Sequence, residues 1–260
     1  MKALFLTSSL GGYVKTIKNN EEVKIIKNCD NSNHFIDRLK AVAPQIKTLV
    51  FVASNPNATT KTDAYAQNTT KSLNMDGFGI ENLIIIDHRF SGNIAQAINS
   101  ADAVFLAGGN VPMQNNYFKE IKLKDILSSF GGVIIGQSAG SMNCSSTVYT
   151  QPEEDEEFED KNYQRKLSGL GLTDITVMPH MNFANITDEK GHPSVMQMCL
   201  EDSFAIPHFG ICDYGFIEIS NGTITAYGKT FLLKNGKCTQ ICDDQSSTEI
   251  SQQALSSLKK

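Results

Sequence analysis

Five short apolar runs punctuate the first half of the chain: ALFL (3–6), TLVFVAS (48–54), NLIIIDH (82–88), DAVFLAGG (102–109) and GVIIG (132–136). Most are rich in β-branched residues, and most end in Ser, Gly, Asp or His. A continuous apolar run of this length suits a strand covered on both faces, and therefore a parallel sheet between helices. The intervening polar stretches carry helical periodicity and predict helices at about 33–43, 60–75, 92–100 and 114–129. In the last of these, Tyr117, Ile121, Ile126, Leu127 and Phe130 fall near one stripe. The alternation predicts an α/β fold, a doubly wound and mostly parallel sheet flanked by helices, with its site at the carboxyl ends of the strands.

Beyond Met142 the pattern changes. QPEEDEEFEDKNYQRK (151–166) reads as a polar loop with an acidic run, ITVMPH (175–180) as a strand ending in a histidine, and GHPSVMQMCLED (191–202) as a helix. From about residue 210 the period becomes two. GFIEISNGTITAYG turns at Asn221-Gly222 and KTFLLKNGKCTQI at Asn235-Gly236, both strong hairpin signals. The tail from about 243 is polar, with a short helix or no fixed structure expected. No repeat or linker divides the chain, so the expected organisation is one domain over 1–242 followed by a tail over 243–260.

Composition removes several classes of function. The 260 residues carry a formal net charge of −5, which leaves no footprint for nucleic acid or an anionic membrane surface. No run approaches the roughly 18 apolar residues of a membrane span. The run in MKALFLTSSLGG is too short for a signal peptide, so a cytoplasmic location is expected and the five N-x-S/T sequons carry no weight. The six cysteines include no C-x-x-C pair, and Cys238 and Cys242 have poor zinc spacing. With no H-E-x-x-H either, neither a metal nor a cofactor is expected.

The chemistry concentrates at IIGQSAGSMN. Gly136-Gln137-Ser138-Ala139-Gly140 follows an apolar strand and precedes a short helix, the strand–turn–helix setting of a nucleophile elbow. The other reading is a tight turn that contains a serine. In the elbow, the Ala139 amide would lie at a helix start, where it can stabilise an oxyanion. A serine nucleophile needs a base and a group to orient it. His180 ends a predicted strand and could reach Ser138. His88 also ends a strand, while His34, His192 and His208 lie in helices or loops. For the orienting acid, the sequence offers Glu153, Glu154 and the run behind them. FLAGGN (105–110) is a second strand end whose glycines allow backbone to approach a ligand closely.

In their order, VFLAGGN, IIGQSAGSMN, VMPHMNF and the hairpin GFIEISNGTITAYG resemble peptidase family S51, the group of dipeptidase E and cyanophycinase. The resemblance runs from MKALFLTSS to about FLLKNGK. It implies a fold like that of class I glutamine amidotransferases and a serine peptidase acting through an acyl-enzyme on short peptides. It implies Ser138 as nucleophile, His180 as base, and an acid in the loop after the elbow, at Glu153 or Glu154. It implies oxyanion donors at the amides of Gly109 and Ala139, with Asn110 of the G-G-N motif beside the substrate. One departure concerns specificity. Aspartyl dipeptidases of the family hold the substrate's Asp with an arginine after the histidine, whereas NFANITDEKGHPSVMQMCLED offers only Lys190. A neutral or basic N-terminal residue is expected instead. A homodimer is compatible with the sequence. The rival readings are a cyanophycinase-like action on a polymer and an S51-like scaffold that binds without turnover. A general α/β-hydrolase would place its histidine much later, and an amidotransferase would need cysteine at 138.

Overall fold

The computed structural model describes all residues except 19–20, 188–189, 252–254 and 256–260. Five strands, Ala3–Thr7, Thr48–Val52, Asn82–Ile86, Ala103–Leu106 and Val133–Gln137, form the parallel part of an eight-stranded sheet. Phe216–Ser220, Thr223–Tyr227 and Ser247–Glu249 extend it antiparallel beyond Ala3–Thr7. This is the predicted α/β architecture, and burial explains its sequence signature. Along the first strand, Ala3 and Phe5 belong to one core cluster and Leu4 and Leu6 to the other; Val133 and Ile135 alternate with Ile134 in the same way. Both sheet faces are covered, so polar alternation has no place in these strands.

One face is covered by the helices Phe35–Val42 and Thr59–Met75. The other carries Ile94–Asn99, Val111–Glu120, Leu123–Ser128 and Ala139–Asn143. It also carries a second sheet of four strands, ordered Val177–Met178, His208–Ile211, Thr230–Lys234 and Lys237–Cys242.

The single helix expected at 114–129 is two, because Lys122 adopts a left-handed conformation (φ 52°) and breaks the run. The re-phased halves still bury Tyr117, Leu127 and Phe130. Both Asn-Gly turns are present. Ser220 pairs with Thr223 and Lys234 with Lys237, with Asn221, Gly222, Asn235 and Gly236 all at positive φ. Two features depart from the pattern reading. A hairpin of Gly11–Lys18 and Glu21–Cys29 follows the first strand, where no element was expected. Within the polar tail, Ser247–Glu249 forms an edge strand and Ile250 is buried in the core. Among the described residues, no helix is long and apolar enough to cross a membrane.

Candidate active site

The elbow is built by close packing. Ser138 sits between the strand Val133–Gln137 and the helix Ala139–Asn143 with φ 50° and ψ −116°, a strained conformation for a non-glycine residue. Its amide donates to Thr7 O (2.9 Å), which ties the turn to the neighbouring strand. A Cβ on Gly136 would lie 2.7 Å from Ser141 N, and one on Gly140 would collide with the Leu106 carbonyl. The flanking glycines are therefore required by close approach and not by their own φ. Ser141 closes the turn from inside, its hydroxyl donating to Thr7 O and Gly136 O at 2.7 Å each.

The adjacent strand Ala103–Leu106 delivers the G-G-N segment to the same edge. A Cβ on Gly108 would lie 3.3 Å from Ser138 Cβ. Gly108 N–H donates to the Tyr65 hydroxyl at 3.3 Å. The amides of Gly109 and Ala139 donate to no protein acceptor among the described residues. Asn110 caps the helix Val111–Glu120, its side-chain oxygen accepting from Met113 N at 2.9 Å. That oxygen already serves the helix, which leaves the side-chain amide as its polar group for a ligand.

His180 follows the short strand Val177–Met178 and is itself left-handed (φ 60°). Its Nε2 lies 3.0 Å from Ser138 Oγ. Its Nδ1 lies 2.7 Å from Asp213 Oδ1, a residue the pattern analysis did not select. Ser8 completes the arrangement: its hydroxyl donates to Asp213 Oδ1 (2.8 Å) and accepts from His180 N (2.9 Å). Asp213 N in turn donates to Asn182 Oδ1. The Asp213 side chain is only 17 % exposed. Burial works to raise its pKa, but the hydrogen bonds from His180 and Ser8 and the His180 charge outweigh it and hold the carboxyl below its usual range.

Glu153 does not take the expected place on His180; no hydrogen bond joins the two. It precedes the helix Asp155–Glu159, and its amide donates to Glu157 Oε2. Desolvation raises its pKa first, then the charges of Glu157 and Glu154, with His180 pulling the other way. Glu154 caps the same helix in a reciprocal capping box with Glu157. Asp213 therefore occupies the position assigned to Glu153. The physical reason is topological: the strand His208–Ile211 pairs in parallel with Val177–Met178, so both strands deliver their following residues to one edge. The same strand-end reasoning that selects Ser138 and His180 applies to Ser8, which follows the predicted first strand, and would have applied to Asp213 had His208–Ile211 been read as a strand.

The other histidines lie elsewhere. His208 is buried, with Nδ1 on Ile206 O, and His88 pairs with Asn57 and Glu120. All three arginines are engaged: Arg38 with Glu218, Arg89 with Asp63 and Asp87, and Arg165 with Asp202. Lys190 pairs with Asp155. None of these cations stands at Ser138.

A serine on a strained strand–helix turn, with an imidazole on its hydroxyl and a carboxylate behind the imidazole, is the geometry of a serine hydrolase. The profile of peptidase family S51 matches residues 25–227, and the chain belongs to that family. It is an enzyme, a serine-type peptidase. Several solved structures share its fold. A peptidase from an acI-B1 Actinobacterium is 16 % identical, with 96 % of this chain and 97 % of that one covered at a TM-score of 0.65. A peptidase E candidate from Listeria monocytogenes EGD-e is 18 % identical, with 86 % and 96 % covered at 0.57. No curated protein matches the chain.

Proposed function

We propose that the protein hydrolyses short peptides through an acyl-enzyme formed on Ser138, with His180 as general base and acid and Asp213 as the carboxylate that orients it. The observation that carries this reading is the continuous chain Asp213–His180–Ser138, at 2.7 and 3.0 Å. Asp213 accepts a hydrogen bond from Nδ1–H, which leaves the Nε2 lone pair directed at the hydroxyl. As Oγ attacks the scissile carbonyl, its proton passes to Nε2 and the imidazolium is stabilised by the Asp213 charge. The carbonyl oxygen becomes an oxyanion, for which the amides of Gly109 and Ala139, without an acceptor among the described residues, are suitable donors. Nε2–H then protonates the leaving amine. Water, activated by the same nitrogen, hydrolyses the ester and returns Ser138.

Glu153 is then not a member of the triad but a nearby charge. A dipeptidase-like preference fits a family in which dipeptides are substrates. The test is hydrolysis of a mixed dipeptide and tripeptide library, read by mass spectrometry, with wild type beside Ser138→Ala. Cleavage by wild type alone supports the reading. A folded wild type that cleaves nothing, and whose Ser138 resists a fluorophosphonate, would leave a scaffold that binds without turnover.

A further inference from the structure

A cavity of about 580 Å³ opens beside the nucleophile, between the hairpin Gly11–Lys18/Glu21–Cys29 and the helix Thr59–Met75. Gln137, the residue before Ser138, lines it. So does Tyr65, whose hydroxyl holds the amide of Gly108 in the G-G-N turn. Its apolar walls include Leu10, Tyr13 and Tyr65, and its cations are Lys24 and Lys61. No Asp or Glu lines it among the described residues. Lys24 Nζ sits 4.4 Å above the Tyr13 ring, and neither lysine has a carboxylate partner among the described residues.

The position of the cavity relates it to one half of the substrate. His180 is flanked by Met178 and Met181, which belong to the core cluster on one sheet face. The cavity's Leu10 and Cys29 belong to the cluster on the other face, with Tyr65 packed against it. Ser138 stands between them at the sheet edge. In the mechanism proposed above, the leaving amine must take its proton from His180, so the leaving part lies on the His180 side. The acyl part, with the N-terminal residue's side chain, then projects over Gln137 toward the cavity.

We propose that this cavity is the acyl-side specificity pocket, that it selects a bulky aromatic N-terminal residue, and that Lys24 and Lys61 select against a cationic one. The inference rests on the peptidase reading of the site. A cavity of this volume is in the range of small-molecule pockets, and an alanine side chain would leave nearly all of it to water. A ring placed between Tyr13 and Tyr65 buries apolar area against aromatic partners. The neutral half of the sequence expectation is retained and the basic half is dropped, because two uncompensated ammonium groups face the same space. The hairpin makes the pocket. Its first strand, Gly11–Lys18, lies before the residues matched by the family profile.

The test compares Phe-Leu, Ala-Leu and Lys-Leu as substrates for wild type, Tyr13→Ala, Ala64→Phe and the double variant Lys24→Gln/Lys61→Gln. Ala64 lines the cavity from an exposed position on the helix, so a larger residue there fills space without disturbing the core. Wild type should prefer Phe-Leu over Ala-Leu in kcat/KM by about 10- to 100-fold, the range set by burying one large apolar side chain. Ala64→Phe should cut that ratio at least tenfold, Tyr13→Ala should lower it, and the double lysine variant should raise Lys-Leu relative to Phe-Leu severalfold. Ratios unchanged in both Tyr13→Ala and Ala64→Phe would overturn the inference while leaving the peptidase intact. If wild type cleaves none of the peptides, the proposed mechanism fails. The pocket is then decided by calorimetric Kd ratios for Phe-Leu over Ala-Leu on Ser138→Ala, with and without Ala64→Phe. A tenfold difference between the two proteins supports the pocket, and equal ratios or no binding overturn it.

Discussion

Two carboxylates compete for the role behind His180, and exchanging each for its amide separates them. Asp213→Asn removes a charge whose oxygen lies 2.7 Å from Nδ1. At a charge separation of about 4 Å and an effective dielectric constant near 20, the attraction between imidazolium and carboxylate is about 4 kcal/mol. That corresponds to about a thousandfold in rate. The amide also presents the wrong proton pattern to Nδ1 and favours the unproductive tautomer, which takes the expected loss of kcat to about 10³- to 10⁴-fold. Glu153→Gln removes a charge on the acidic loop with no hydrogen bond to the ring. At high effective dielectric this is worth about 1 kcal/mol or less, so the loss should stay below tenfold. The assay is kcat and KM on a fluorogenic dipeptide, with circular dichroism as a check on folding because Asp213 also anchors Ser8 and meets Asn182. The opposite order, with Glu153→Gln losing a thousandfold and Asp213→Asn staying within tenfold, would refute the assignment.

Other consequences can be checked by stability. His208 is fully buried; desolvation pushes its pKa down to about 4, and its Nε2 has no partner among the described residues. Between about pH 6.5 and 4 the unfolded chain takes up the proton and the folded one does not. Wild type should therefore lose up to about 3 kcal/mol across that window as pH falls, and His208→Gln should flatten the denaturant-midpoint profile there. Glu153 has the opposite linkage for a carboxyl, with its folded pKa raised above the ordinary 4.5. Glu153→Gln should accordingly raise Tm at pH 7 and lose that advantage below pH 4. Gly140→Ala would drive a methyl group into the Leu106 carbonyl, a backbone atom that cannot step aside. It should cost about 3 kcal/mol or more, seen as a fall in Tm of about 6–12 °C or failure to fold. Ser138→Gly should be about 1 kcal/mol more stable than Ser138→Ala by chemical denaturation, because only glycine relaxes the strain at φ 50°.

The main sheet was legible because its physics is local. A strand buried on both faces is apolar along its buried length, and Leu49–Val52 or Val133–Ile135 shows this without reference to any partner. The Asn-Gly hairpins were legible for the same reason, since two residues supply both positive φ values. Ser138 and His180 stood out as polar residues at the ends of apolar runs. Asp213 did not, because the strand before it, His208–Ile211, opens with a buried histidine and was not read as a strand. The acidic run was conspicuous in sequence, yet its side chains largely cap and surround their own helix. The first hairpin was hidden because lysines interrupt its apolar positions and several of those positions, such as Ile17 and Ile25, are exposed. The break at Lys122 has no sequence marker of the Gly or Pro kind.

The three side chains of the proposed triad follow strands of two different sheets. Ser138 rides on the central sheet, while His180 and Asp213 follow two strands of the smaller sheet. A chain that has closed the first sheet but not docked the second holds a nucleophile without its base. Such a species would carry most of the native secondary structure and no hydrolytic power. Regain of turnover after denaturant dilution thus times the final docking event and should lag the return of helical signal.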